Sequence, residues 1–160
     1  MKNCNPFLEQ IFADCLEYSG NTANELSVKD KKGTSQFFIK NNNHHLIKIR
    51  VDDCLIKGSD KKKCDYLILD CTENTAYFVE LKGKKLEDAV LQIESTVNIL
   101  YAKLRDFNFC CRITQTKVGG NYQEEKASLF KFLKEKYKSN SNIATRKLIR
   151  IESQKLIEII

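Results

Sequence analysis

Two apolar runs, Tyr66-Leu67-Ile68-Leu69 and Ala76-Tyr77-Phe78-Val79, constrain this chain more than any other stretch. They flank the polar tetrapeptide Cys71-Thr72-Glu73-Asn74, the pattern of two antiparallel strands joined by a short turn. Pairing about a turn centred between residues 72 and 73 sets Asp65 across from Glu80. The second strand runs on into Glu80-Leu81-Lys82, and period-two geometry sends Glu80 and Lys82 to one face. Two carboxylates then meet beside one ammonium.

Carboxylate oxygens are the hard ligands that Mg²⁺ prefers, and a site with few protein ligands leaves room for water and a substrate phosphate. After Gly83 comes the strongest helical pattern in the chain, from Leu86 to about Arg105, with Leu86, Ala89, Val90, Ile93, Val97, Leu100, Tyr101 and Leu104 on one face. Asp65, then Glu80-Leu81-Lys82 on the next strand, then this amphipathic helix, resembles the catalytic core of the PD-(D/E)XK, or restriction-endonuclease-like, nuclease superfamily. Cys64 stands where that motif has proline, a position that supplies no ligand.

The flanking chain fits the same plan. Asn5 and Pro6 read as the start of a helix to about Ser19, with Leu8, Ile11, Phe12, Cys15 and Leu16 at helical spacing. Residues 20 to 45 read as a long polar loop, functional or mobile, perforated only by a short strand at Phe37-Phe38-Ile39. Alternation from Leu46 predicts a strand toward Ile56, forming a hairpin with the strand that begins at Cys64. Asn108 to Thr114 is a strand after a crossover long enough for parallel pairing. The result is an α/β chain with an αβββαβ core over residues 6 to 115, a mixed central sheet flanked by helices. A basic extension follows from about 119: a helix from Tyr122 to Lys138 and two short strands, although a helix suits the last dozen residues nearly as well.

The resemblance implies a metal-dependent endonuclease in which Asp65, Glu80 and the Leu81 carbonyl hold Mg²⁺ or Mn²⁺ and Lys82 positions the attacking water. It further implies that Gln92 lines the site and that Glu9, at the edge of the first helix's apolar stripe, approaches the metal. DNA is expected ahead of RNA. A non-catalytic nucleic-acid-binding or protein-interaction module on the same fold is the rival reading. An unrelated α/β domain with a chance Glu-Leu-Lys predicts that Asp65 and Glu80 lie far apart.

Charge distribution bears on the partner. Residues 1 to 100 carry 14 Lys/Arg against 15 Asp/Glu and residues 101 to 160 carry 13 against 6, so the net +6 comes from the last third. Such a region favours anionic partners, nucleic acid first. Lys61, Lys62, Lys63, Lys84 and Lys85 are candidate phosphate contacts, and the 61–63 run could equally keep a loop tip soluble. His44 and His45, adjacent on an extended chain, point to opposite faces and do not converge.

With 160 residues and 42% hydrophobic content, one domain is expected. Seven cysteines, an odd number with no Cys-x-x-Cys pair, read as reduced thiols. The amino-terminal stretch lacks the apolar core of a signal peptide and no stretch is long enough to span a membrane, so a cytoplasmic protein is expected. A homodimer is common among enzymes that cut both strands, but no segment marks an interface.

Overall fold

The computed structural model describes residues 4–7, 9, 13–31, 34–82, 85–116, 122–137 and 148–160. Their strands are β1 (Leu16–Gly20), β2 (Glu25–Lys29), β3 (Gln36–Lys40), β4 (Leu46–Arg50), β5 (Tyr66–Asp70), β6 (Thr75–Lys82), β7 (Asn108–Gln115), β8 (Ile149–Ser153) and β9 (Lys155–Ile159). Helix α1 (Leu86–Leu104) joins β6 to β7, and α2 (Gln123–Tyr137) lies between β7 and β8. The chain is an α/β protein with a six-stranded sheet, β1-β4-β5-β6-β7-β8, and a three-stranded sheet, β2-β3-β9.

The β5–β6 hairpin has the expected register: Tyr66 pairs with Val79 and Asp70 with Thr75. Asp70 sets it locally, because its buried carboxylate accepts the N–H groups of Thr72 and Glu73 at 2.9 and 3.2 Å and so folds the turn. Asn74 completes the reversal at φ 50°. From β4 to β6 the strands are antiparallel; the crossover through α1 then makes β7 parallel to β6, and β8 follows parallel to β7.

Both faces of the large sheet are covered, which is why its central strands read as near-continuous apolar runs. Leu67, Leu69, Ala76, Phe78 and Ile113 face one core with Ala89, Ile93 and Val97 of α1 and Leu129 and Leu133 of α2. Ile68, Tyr77, Val79 and Leu81 face a second core with Leu26, Val28, Phe37, Ile39 and Leu156 of the small sheet. The order of layers is helices, large sheet, small sheet. Arg112, 2% exposed, joins the sheets by hydrogen bonds to Glu158 at 2.9 and 3.2 Å.

Four expectations are corrected. The predicted first helix cannot reach Ser19, because Leu16–Gly20 pairs antiparallel with β4; residues 8 and 10–12 lie outside the described residues. The predicted loop at 20–45 contains the β2–β3 hairpin, whose register runs from Glu25↔Lys40 to Lys29↔Gln36. β4 stops at Arg50 instead of running toward Ile56. There the N–H groups of Cys54 and Ile56 turn back to the Val51 carbonyl, and Asp53 takes φ 55°. Finally, four cysteines are oxidised, in Cys4–Cys71 and Cys15–Cys54, while Cys64, Cys110 and Cys111 are free and buried.

Cys4–Cys71 ties the amino-terminal segment to the β5–β6 turn, and Cys15–Cys54 ties the start of β1 to the turn after β4. Cross-links closing loops of this length contribute roughly 4 kcal/mol each in the chain-entropy account. Among the described residues no helix is long and apolar enough to cross a membrane. Iodoacetamide treatment of the oxidised protein in denaturant is expected to add three labels by intact mass, at Cys64, Cys110 and Cys111. Seven labels without prior reduction would contradict the pairing.

Candidate active site

The parallel strands β6, β7 and β8 finish side by side, with Lys82 level with Gln115 and Gln115 level with Ser153. The antiparallel β5 begins at this same end. Sheet ends where parallel strands finish are common ligand sites, since the loops there leave crevices lined by strand-terminal side chains.

Asp65 lies one residue before β5 and extends its ladder. Its N–H donates to the Val79 carbonyl at 3.1 Å, and its own carbonyl accepts from Val51 at 2.9 Å. Its Oδ2 accepts the Leu81 N–H at 2.8 Å. The Asp65 carboxylate therefore lies against the backbone of the residue that follows Glu80. Glu80 is 2% exposed and, by strand alternation, continues the Ala76–Phe78 row that faces α1.

Cys64 reports on both acids. Its fully buried thiol is held well above its ordinary pKa, first by burial, then by the Glu80 carboxylate, with Asp65 adding to the shift and a hydrogen bond from Thr96 opposing it. Asp65 and Glu80 thus both act on this thiol, and the hairpin register sets the two residues on neighbouring strands. The thiol stays protonated and adds no negative charge to the pair.

Helix α1 is stitched to this end of the sheet. The Cys64 N–H donates to Thr96 Oγ1 at 2.7 Å, the Thr96 hydroxyl donates to the Gln92 carbonyl at 2.7 Å, and Gln92 Nε2 donates to the Lys63 carbonyl at 3.1 Å. Gln92 Oε1 is buried and accepts no hydrogen bond among the described residues. Glu87 and Asp88 occupy the first turn of α1, where carboxylates complement the helix dipole.

The other predicted residues are placed as follows. Glu9 is not brought to the site: it is exposed and pairs with Lys103 at 3.5 Å, near the far end of α1. Lys103 lies eleven residues beyond Gln92, about 16 Å along the helix axis. Lys63 is buried and turned inward, donating to the Gly58 carbonyl and pairing with Asp52 at 3.6 Å. Lys62 is exposed and pairs with Asp88 at 3.6 Å, and Lys61 lines the same cleft. Lys85 is exposed at the amino-terminal boundary of α1. Lys82 ends β6, but its side chain lies outside the described residues, as do Gly83 and Lys84.

Two clefts open at this end of the sheet. One, about 490 Å³, is on the helix side and is lined by Lys61, Lys62, Asp88 and Gln92. The other, about 460 Å³, is on the small-sheet side and is lined by Lys29, Lys31, Arg50, Asp65, Tyr66 and Leu81. Asp52 and Asp53 line both. The sequence reading singled out none of Lys29, Lys31, Arg50, Asp52 and Asp53 as site residues; the alternation of Leu26 with Val28 and of Phe37 with Ile39 is the signal that could have placed the β2–β3 hairpin there. Tyr66 cannot serve as a base near neutrality, because burial and the Glu17 carboxylate push its phenol up to about 12.

The donor set offers two carboxylates and a neighbouring main-chain carbonyl, at Leu81, all hard oxygens suited to Mg²⁺ or Mn²⁺. Among the described residues no three His, Cys, Asp or Glu side chains converge to hold an ion. No family model, curated protein or solved structure matches the chain.

Thr96→Val keeps the shape of the buried side chain but leaves the Cys64 N–H without its acceptor. The expected cost is about 1–3 kcal/mol, read from the urea unfolding midpoint. A variant as stable as the wild type would show that the Thr96 bridge does not fasten α1 to the site.

Proposed function

We propose that this protein is a metal-dependent nuclease hydrolysing phosphodiester bonds of nucleic acid, DNA ahead of RNA, on a restriction-endonuclease-like core. The observation that carries this reading is the meeting of Asp65 with the Glu80–Leu81 backbone at the carboxyl ends of the parallel strands. The succession β4, β5, β6, α1, β7, a three-stranded antiparallel meander followed by a helix and a parallel strand, supports it.

In this reading Asp65, Glu80 and the Leu81 carbonyl hold Mg²⁺ or Mn²⁺. The ion, when bound, supplies charge stabilisation at the phosphodiester and makes a nucleophile available from water near neutral pH. Glu80 is 2% exposed between helix and sheet, where water screens little and a carboxylate attracts a nearby cation strongly. The Asp65 carboxylate is oriented by the Leu81 N–H, and its own N–H bonds the Val79 carbonyl of the same strand. Lys82 positions the attacking water or offsets negative charge developing on the phosphate. Gln92, its Nε2 already committed to Lys63, directs its Oε1 as an acceptor toward water or a substrate hydrogen-bond donor. The neutral Cys64 thiol supplies packing and no charge.

Incubation with plasmid, single-stranded DNA and RNA in Mg²⁺ or Mn²⁺ is expected to give cleavage that EDTA abolishes. Lys82→Ala is expected to lower the rate by about 10²- to 10⁴-fold, and Glu80→Gln to abolish cleavage while circular dichroism shows the fold retained. Cleavage that survives both EDTA and Lys82→Ala would contradict the mechanism. Binding of nucleic acid without cleavage would favour a non-catalytic module.

A further inference from the structure

We infer that Lys29, Lys31 and Arg50 form a basic wall that holds the sugar-phosphate backbone of a nucleic-acid strand on the small-sheet side of the Asp65 site. The inference rests on the nuclease reading for what lies between the walls, and it deepens that reading by placing the substrate's path.

The three cations come from two layers. Lys29 ends β2, Lys31 lies in the turn beyond it, and Arg50 ends β4 of the large sheet, yet all three line the cleft that also contains Asp65 and Leu81. All are exposed, and none forms an ion pair among the described residues. Lys29 lies over the Phe38 ring at 5.8 Å, which steadies its stem beside the cleft. Asp30, between the two lysines, is turned back into its own loop: its oxygens accept the Thr34 N–H at 2.8 Å and the Thr34 hydroxyl at 2.9 Å.

Across the sheet end, the helix-side cleft carries Lys61 and Lys62. Asp52 and Asp53 lie where the two clefts join, beside Asp65. The charge pattern along this path is basic, acidic, basic. An anionic polymer is drawn to both flanks, and a divalent cation belongs at the centre, where a phosphate would otherwise meet only carboxylates. Arg50 adds a planar fork suited to bidentate phosphate contact, with the lysines as point charges.

The test is fluorescence-anisotropy titration of a labelled single-stranded DNA oligonucleotide in EDTA, which removes hydrolysis, over a series of salt concentrations. The protein is the wild type, the Lys29→Ala/Lys31→Ala/Arg50→Ala variant, or a charge-matched Lys126→Ala/Lys131→Ala/Lys134→Ala variant on α2. Loss of three phosphate contacts is expected to reduce the slope of log affinity against log salt by about 2 and to weaken binding at least about tenfold. The α2 variant is expected to change both far less. Unchanged binding by the first variant, equal losses in both, or no binding by the wild type would overturn the inference. Cleavage is assayed in parallel with Mg²⁺: loss of slope without any cleavage by the wild type upholds the wall and overturns the nuclease reading, whereas cleavage with unchanged binding overturns the wall alone.

Discussion

The register of the β5–β6 hairpin is the constraint from which the rest of the structure follows. It is set at the turn, where one buried carboxylate, Asp70, caps two amide N–H groups, with His44 Nδ1 at 2.7 Å on its other oxygen. Because side chains alternate strictly along a strand, a slip of one residue would exchange the two faces. Phe78 and Leu67 would leave the helix-side core, and Tyr77 and Ile68 would leave the small-sheet core. Covered on both sides, the sheet tolerates no other pairing. The same register carries Asp65 to the Glu80–Leu81 backbone, five residues from the turn that determines it.

The two ends of the large sheet handle buried charge differently. Toward β9, Arg112 is matched by Glu158, by the Cys111 and Leu148 carbonyls at 2.9 and 3.2 Å, and by the ring of Tyr77 at 5.3 Å. That network joins two sheets and has a structural task. At the opposite end a buried glutamate, a partly buried aspartate and a buried thiol share a small region, and the thiol responds by staying protonated. Under the proposed function a cation is the counterpart of these carboxylates, and hard oxygens select a hard one. The basic residues lie outside this centre, on both faces of the sheet.

Much of this was legible in the chain. The β5–β6 pairing, helix α1, strand β7, helix α2 and the two final strands follow from apolar periodicity and turn residues, and the hairpin register carries Asp65 to the Leu81 N–H. What escaped had weak local signals. β1 is an edge strand with little burial, and Leu16 with Cys15 also fits the end of an amphipathic helix. β2 and β3 sit among Asn, Lys, Ser and Thr, and their buried Leu26, Val28, Phe37 and Ile39 acquire meaning only against the large sheet. The disulfides join residues 67 and 39 positions apart, and no spacing rule reveals such pairs. Lys63 looked like one of three equal lysines until the turn after β4 placed Asp52 beside it.

The central claim is that Asp65 and Glu80 together hold a divalent ion at the end of the sheet. Electron paramagnetic resonance of Mn²⁺ titrated with protein measures this without reference to any substrate, because bound ion disappears from the free six-line signal. The account predicts one ion bound per chain by the wild type and a large loss of affinity in both Asp65→Asn and Glu80→Gln, each still folded. Mn²⁺ that stays free in the presence of the wild type, or binds both variants as tightly, would contradict it.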